Sequence, residues 1–248
     1  MSYQRSDGRT QDELRSIKII RNYLQDPEGS VFIEMGNTKL ICTASVEYKL
    51  PHFLREEGKH QGWITAEYDM LPRSAKKRII RDRYKGRIKG RSQEIQRLIG
   101  RSLRAVTDLT LFPDRTIYLD CDVIQADGGT RTAAINGCFV ALYDAFTKMK
   151  KEKKINEFPL NKFLGAISVG LINSEIMLDL AYDEDLIAEV DMNVVKDDDG
   201  NYIEIQGASE HKAFSESQLL DMLKLADKGI KEIIELQKKL FFSEVKIK

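Results

Sequence analysis

The sequence contains three short segments whose residue types could bind an anion or carry acid–base chemistry. The first, residues 125–132, reads Gln-Ala-Asp-Gly-Gly-Thr-Arg-Thr and lies between a predicted strand and a predicted helix. Gly128 and Gly129 let the backbone turn tightly and approach a ligand. The unpaired N–H groups and the dipole of a helix start favour a small anion. Thr130 can cap the helix, and Arg131 adds a charged donor fork. A plain strand-to-helix turn capped by Thr130 would show the same pattern.

A second arginine stands at another predicted helix start, in Gly90-Arg91-Ser92. Two arginine-bearing helix starts could converge on one anion. A site for free phosphate needs such a set, because the ion must be held after its water is removed. Taken alone, Arg91 is equally well explained as an ordinary surface arginine.

The third segment, residues 178–193, is rich in carboxylates. Asp191 lies in an alternating strand pattern, and Asp185 is expected in the loop before it. Such carboxylates can share a Mg²⁺ ion that also bridges to phosphate oxygens. Alternatively, one of them can act as a general acid that protonates a leaving oxygen. Asp183 and Glu184 are interpreted as a solvated turn, whereas an acid between two apolar strand residues tends to face a specific partner.

Periodic apolar patterns indicate the elements that position these segments. Strands are predicted at 31–35, 39–46, 63–68, 116–125, 166–172, 176–180, 188–195 and 202–206. Helices are predicted from about Ser92, over 130–148, and from a capping box at Ser215 and Gln218 to about Leu240. This order predicts an α+β protein with mixed sheets packed against helices. We expect one domain over 1–248 with two similar halves, roughly 1–110 and 111–248.

The charge is unevenly distributed, although the net charge of the 248 residues is zero. Residues 73–104 hold thirteen Lys and Arg against two acids, a charge of +11, and residues 175–204 hold eleven acids against one Lys, a charge of −10. The basic part at 73–89 is predicted to be an exposed loop. The pattern fits a polyanion track beside a cation-binding acidic cluster, or two solvated surfaces that attract each other.

Composition bounds the class of protein. The apolar share of 42% is ordinary for a globular protein. No apolar run reaches 18 residues and the N-terminal residues are polar, so we expect no membrane association and a cytoplasmic location. Cys42, Cys121 and Cys138 are widely spaced and lie in apolar runs, which predicts buried thiols without a metal.

These segments, taken in order, resemble the bacterial ribonuclease PH family along nearly the whole chain. The resemblance is carried by residues 7–9 (Asp-Gly-Arg), 27–30, 36–39, 62–68, 94–101, 120–132 and 188–193. The chain departs from the family pattern in a longer, more polar loop at 56–61, in Ala208-Ser209 and in Leu186. The first two differences could alter how an RNA 3′ end is held.

The resemblance implies a duplicated βαβ-type fold like the second domain of ribosomal protein S5, and a homo-hexameric ring built as a trimer of dimers. It implies phosphate-dependent 3′→5′ exoribonuclease activity on tRNA precursors and other RNA 3′ ends, releasing nucleoside diphosphates. Inorganic phosphate is the co-substrate and Mg²⁺ or a similar divalent cation the cofactor. The implied roles are phosphate binding by Arg91, Gly129, Thr130 and Arg131, catalysis and metal binding by Asp185 and Asp191, and RNA binding by Arg73, Arg78, Arg81 and Arg97.

Two other functions remain alternatives to phosphorolysis. The first is a catalytically inactive RNA-binding ring subunit of an exosome-like assembly, which would have no need to keep all of Arg91, Arg131, Asp185 and Asp191. The second is a hydrolytic, metal-dependent nuclease, which would have no use for two arginine-bearing anion sites.

Overall fold

A computed structural model describes residues 3–56, 58, 60–81, 86, 89–210 and 212–242 of the chain. The strands are β1 (Ile17–Arg21), β2 (Gly29–Met35), β3 (Thr38–Glu47), β4 (Trp63–Met70), β5 (Thr116–Gln125), β6 (Leu164–Ile172), β7 (Glu175–Leu178), β8 (Val190–Asp197) and β9 (Tyr202–Ser209). The helices are α1 (His52–Glu56), α2 (Gly90–Ala105), α3 (Thr130–Lys151), α4 (Tyr182–Asp185) and α5 (Glu216–Phe242), with a short 3₁₀ helix at Leu109–Leu111.

The strands form two separate sheets. The first has the order β1-β2-β3-β5-β4 and is antiparallel except for the parallel pair of β4 and β5. The second has the order β7-β6-β8-β9 and is antiparallel throughout. The chain therefore passes from the first sheet to the second between β5 and β6, and the connecting segment contains α3.

Helix α3 packs against both sheets and forms the centre of the core. It contacts β2, β3 and β5 of the first sheet and β6 of the second, and most of its side chains are buried around its whole circumference. A helix that is apolar on every side is stable only when it is enclosed in this way. The buried Asn136 amide donates to the Ala166 carbonyl and accepts from the Ala166 N–H, both at 2.9 Å, which fastens α3 to β6.

The other two long helices each cover one sheet. Helix α2 packs on β4 and contacts α3, while α5 packs on β6, β7 and β8. One continuous cluster of buried apolar side chains joins these elements, including Phe112, Phe139 and Phe146. Truncating one of these phenylalanines to alanine would cost about 3–5 kcal/mol. The packing thus fixes the two sheets relative to each other.

The predicted α+β class, with mixed sheets packed against helices, is confirmed. Strand β5 has the predicted bounds, and α5 begins at the predicted capping box, where the Ser215 N–H donates to Gln218 at 2.8 Å and the Gln218 N–H donates to Ser215 at 3.2 Å. The proposed division of a single domain near residue 110 stays a prediction. Among the described residues, no helix is long and apolar enough to span a membrane.

Candidate active site

A cavity of about 350 Å³ opens where the start of α3, the start of α2 and the second sheet meet. It brings together all six residues predicted to bind phosphate or carry catalysis: Arg91, Gly129, Thr130, Arg131, Asp185 and Asp191. Its remaining lining residues are Ser168, Leu180, Leu186, Asn193 and Glu210. Residues more than a hundred positions apart in the sequence therefore form one polar site.

The start of α3 lines this cavity through Gly129, Thr130 and Arg131. Gly129 is the N-cap residue in the left-handed conformation, with φ 63°, and no side chain caps the helix start. The expectation that Thr130 caps the helix is wrong, because Thr130 is its first helical residue and its hydroxyl accepts from the buried Tyr68 hydroxyl at 3.0 Å. Uncapped N–H groups and the helix dipole at this point suit an anion.

The two arginines reach the cavity from different elements. Arg91 is the second residue of α2 and Arg131 the second residue of α3. The Arg131 guanidinium donates to the Gln206 side chain at 2.6 Å and lies 3.9 Å from the Glu94 carboxylate. The Gln206 amide in turn donates to Glu94. Side chains of α2 and β9 therefore hold Arg131 in place at the cavity.

The two acids share a desolvated environment. Burial, followed by the nearby Asp185 charge, raises the pKa of Asp191 to about 6, although Arg131 and Arg91 act in the opposite direction. Burial also raises the pKa of Asp185, again against the two arginines. Each carboxyl is therefore easier to protonate than in water, and the pair would gain from a neighbouring proton or cation.

The position of Asp185 differs from the prediction. Asp185 is the last residue of the short helix α4, whereas a loop was expected. The reading of Glu184 as a solvated turn residue is also wrong, since Glu184 is buried and forms a salt bridge with the buried Arg5 at 2.7 Å. Only Asp183 has the exposed position expected of it, where it pairs with Lys76 at 2.7 Å.

The cavity is lined by oxygen donors of the kind that a hard divalent cation prefers. Asp185, Asp191 and Glu210 supply carboxylate oxygens, with Ser168 and Asn193 beside them. Mg²⁺ prefers such oxygen donors and usually retains several waters. Burial raises the pKa of both Asp185 and Asp191, so a bound cation would stabilise their ionised forms. Asp185 and Asp191 are the residues that would hold the ion.

The arginines predicted to contact RNA do not line this cavity. Arg73 and Arg78 are exposed, and Arg81 is half-buried. Burial and the Asp69 charge raise the pKa of Asp122, and the nearby Arg81 charge opposes this rise. Residues 82–85 and 87–88 of the predicted basic loop lie outside the described residues. Arg97 lines a separate depression on α2 together with Arg101. The RNA-binding role of these arginines stays a prediction.

The three cysteines are buried as expected, and although they are widely spaced in the sequence they lie close together in the fold. Cys42 on β3, Cys121 on β5 and Cys138 on α3 place their sulfur atoms within 4.8 Å of one another. Cys42 and Cys121 are direct neighbours across the sheet, with sulfurs 3.7 Å apart. Strand register, which the spacing in the sequence does not reveal, brings them together.

Two aromatic residues that could have stacked an RNA base have other contacts. Tyr68 is buried below the start of α3, where it supports Thr130. Trp63 is half-buried, with the Phe53 ring edge-on at 5.5 Å and the Arg104 guanidinium 4.3 Å from its centroid. Neither is among the residues that line the cavity.

Three lining residues carried no local signal that would have assigned them to the site. Ser168 lies inside the fully buried β6, Asn193 inside β8, and Glu210 follows β9. The alternation of β8 offered the only hint, because Asp191 and Asn193 are two residues apart and so share a strand face. Ser168 also accepts from the Leu180 N–H at 3.1 Å, which ties the acidic segment to β6.

Comparison with known proteins gives consistent matches over both parts of the chain. Residues 13–148 match domain 1 of the 3′ exoribonuclease family, and residues 162–229 match domain 2. The chain is 56% identical to Ribonuclease PH of Bacillus pumilus over 94% of this chain and 96% of the relative. It is 52% identical to Ribonuclease PH of Bacillus cereus over 94% and 95%. In fold it is similar to the Archaeoglobus fulgidus exosome with RNA bound to the active site, with a TM-score of 0.79 at 17% identity over 94% of this chain and 92% of that one.

Proposed function

Since the chain belongs to the 3′ exoribonuclease family of ribonucleases PH, we propose that its cavity removes nucleotides from RNA 3′ ends with inorganic phosphate as the attacking group. The chain is a phosphate-dependent 3′ exoribonuclease that processes tRNA. The observation that carries the assignment to this cavity is the meeting of Arg91 and Arg131, each at a helix start, with two desolvated acids.

Phosphate binds at the start of α3 in this proposal. The backbone N–H groups of Thr130 and Arg131 and the guanidinium groups of Arg91 and Arg131 donate to its oxygens. This arrangement meets the main difficulty of the reaction, which is the approach of one anion to another. Positive charge fixed in advance lowers that repulsion without reorganisation during the reaction.

In the chemical step, an oxygen of the bound phosphate forms a bond to the phosphorus of the last phosphodiester. The bond from that phosphorus to the 3′ oxygen of the preceding nucleotide breaks. The terminal nucleotide leaves as a nucleoside diphosphate, and the shortened RNA retains a 3′ hydroxyl once its oxygen gains a proton. Asp191, whose pKa is raised to about 6, is the acid best suited to hold that proton near neutral pH.

Asp185 and Asp191 would alternatively hold a divalent cation such as Mg²⁺. When bound, the ion supplies positive charge next to the reacting phosphoryl oxygens. In this state both carboxylates are ionised and orient the ion. The acid role and the ligand role make opposite demands on Asp191, and the pH dependence of turnover with and without the cation separates them.

The substrate, assembly and location complete the proposal. Precursor tRNA is held along positive charge that includes the exposed Arg73, Arg78 and Arg97 and the half-buried Arg81. Backbone phosphates bind such surfaces without regard to sequence. The working form is a homo-hexameric ring, a trimer of dimers, by analogy with the family. We place the enzyme in the cytoplasm, where its tRNA substrates are matured.

Incubation with a 3′-extended tRNA, with and without phosphate, tests the proposal. Nucleoside diphosphate that forms only with phosphate is the expected product. Nucleoside monophosphate would point to the hydrolytic alternative. RNA binding without any product would point to an inactive ring subunit, a function that the four charged groups in the cavity do not favour.

A further inference from the structure

A network of buried charges lies directly behind the cavity, on the opposite side of the loop that starts α3. It is formed by Arg5, Arg9, Arg15, Asp179 and Glu184. Their side chains are at least nine-tenths buried, and those of Arg5, Asp179 and Glu184 are almost completely so. Buried charges are costly unless each one has partners, so such a network needs a structural or functional reason.

Arg15 connects the network to the phosphate loop. Its guanidinium binds the Asp179 carboxylate through two nitrogens, at 3.0 and 2.7 Å, and its backbone N–H binds the same carboxylate at 2.9 Å. Its remaining nitrogen donates to the Asp127 carbonyl at 2.5 Å. A side chain added at Gly129 would meet Arg15 at 2.8 Å. The guanidinium therefore lies directly against the backbone that presents N–H groups to the cavity.

Arg5 connects the same network to the helix that carries Asp185. Its guanidinium donates to both Glu184 oxygens, at 2.7 and 2.8 Å, and to the Leu178 and Asp179 carbonyls, at 2.9 and 3.0 Å. Glu184 also accepts the Ala181 N–H at 2.8 Å. These bonds hold α4 through Glu184, the residue next to Asp185, and through the N–H of the N-cap residue Ala181.

We propose that Arg15 and Glu184 are positioning residues, which hold the phosphate loop and Asp185 in register through the shared network around Asp179. The inference rests on the proposed phosphate site. Arg15, two residues before β1, supports the loop, and Glu184, within α4, supports the helix that carries Asp185. The network thus fixes the loop before α3 and the helix that carries Asp185 relative to each other. None of its side chains needs to touch substrate to do this.

The test measures phosphate KM and kcat separately on a 3′-extended tRNA. Arg15→Lys keeps the charge but loses the fork, so the loop shifts and phosphate KM rises about tenfold or more while tRNA affinity is unchanged. Glu184→Gln disturbs α4 and lowers kcat by about tenfold or more, with a smaller effect on phosphate KM. The split between the two constants distinguishes positioning from a general loss of folded protein.

Two further variants keep the test decisive. Thr38→Val retains shape but removes the bonds from the Thr38 hydroxyl to the Gly128 carbonyl at 2.6 Å and from the Asp127 N–H at 2.9 Å, so it should raise phosphate KM even if Arg15→Lys does not fold. The matched control is Arg21→Lys, which weakens the remote ion pair with the buried Asp144 and should leave both constants unchanged.

The outcomes separate the two levels of the argument. If Arg15→Lys and Thr38→Val stay within about twofold of wild type while Arg131→Ala loses phosphate affinity, the network is merely structural and the inference is overturned. If wild type itself shows no phosphate dependence, the proposed function fails instead.

Discussion

The ionised Asp191 carboxylate should destabilise the folded protein at neutral pH when phosphate and divalent ions are absent. Removing its charge should restore that stability. On folding, the pKa of Asp191 rises from its ordinary value of 3.8 to about 6, because burial and the neighbouring Asp185 disfavour the ionised form. A folded-state pKa above the unfolded one means that stability is greatest below the unfolded value and falls as pH rises through the folded value. At about 1.36 kcal/mol per pKa unit, the loss is on the order of 3 kcal/mol at neutral pH.

Asp191→Asn has nearly the same shape and no charge. We therefore expect the free energy of unfolding of the variant to exceed that of wild type by about 3 kcal/mol at pH 8. At pH 5 the difference should be roughly half as large. Phosphorolysis should nearly cease, since the variant can neither donate the proton nor hold the cation in the same way. A more stable and inactive variant is the signature of a group kept for chemistry at a cost in stability.

Urea unfolding between pH 5 and 8 measures this, in phosphate-free buffer without divalent ions and at one fixed subunit concentration. The control is Asp197→Asn on the same strand. Burial opposes ionisation there, but bonds from Asn201 and Lys162 lower the pKa of Asp197 overall, so this variant should lose stability at neutral pH. If the curves of wild type and Asp191→Asn run parallel across this pH range, or if the variant keeps substantial turnover, the desolvation argument is refuted.

Three further predictions address phosphate, RNA and the core. Arg131→Ala removes one or two charge-assisted hydrogen bonds and should raise phosphate KM roughly 10- to 100-fold with little effect on tRNA affinity, as steady-state kinetics and filter binding will show. Charge reversal at Arg78 and Arg81 should weaken tRNA binding and flatten its salt dependence, while turnover of a short oligonucleotide stays close to wild type. The three core thiols should resist alkylation until the protein unfolds, because their mutual contacts and burial hold the pKa of each well above the ordinary value; rapid labelling of native protein would contradict this.

Much of the fold could be predicted because local patterns determine it. The alternation of β5 and the capping box of α5 are patterns within a few consecutive residues, and both elements lie where they were expected. The edge strand β1 (Ile17–Arg21) was missed, because an edge strand is only half-buried and its Ile-Lys-Ile-Ile-Arg sequence alternates incompletely. Helix α4 was missed because a single turn of four residues has no apolar period to detect.

Part of the candidate site could be predicted because an arginine at a helix start is typical of an anion site. Arg91 and Arg131 stood beside glycines at two such starts, and the structure brings both to one cavity. Ser168 and Glu210 could not be assigned in this way, because their place in the site depends on how β6 and β9 pair with β8. The same limit explains the cysteine cluster. Register and packing are properties of the whole chain, and short segments do not encode them separately.

The two glycines before α3 have a physical reason in the structure that differs from the one inferred from sequence. From sequence, Gly128 and Gly129 were expected to let the backbone approach a ligand. In the structure, both have positive φ, of 75° and 63°. A side chain at Gly128 would meet the backbone of residues 180–182, with the Leu180 oxygen at 2.5 Å, and one at Gly129 would meet Arg15. The glycines are therefore required because the loop is pressed between the acidic segment and the buried charge network. The same close contact that excludes side chains brings the start of α3 and the two acids into one cavity.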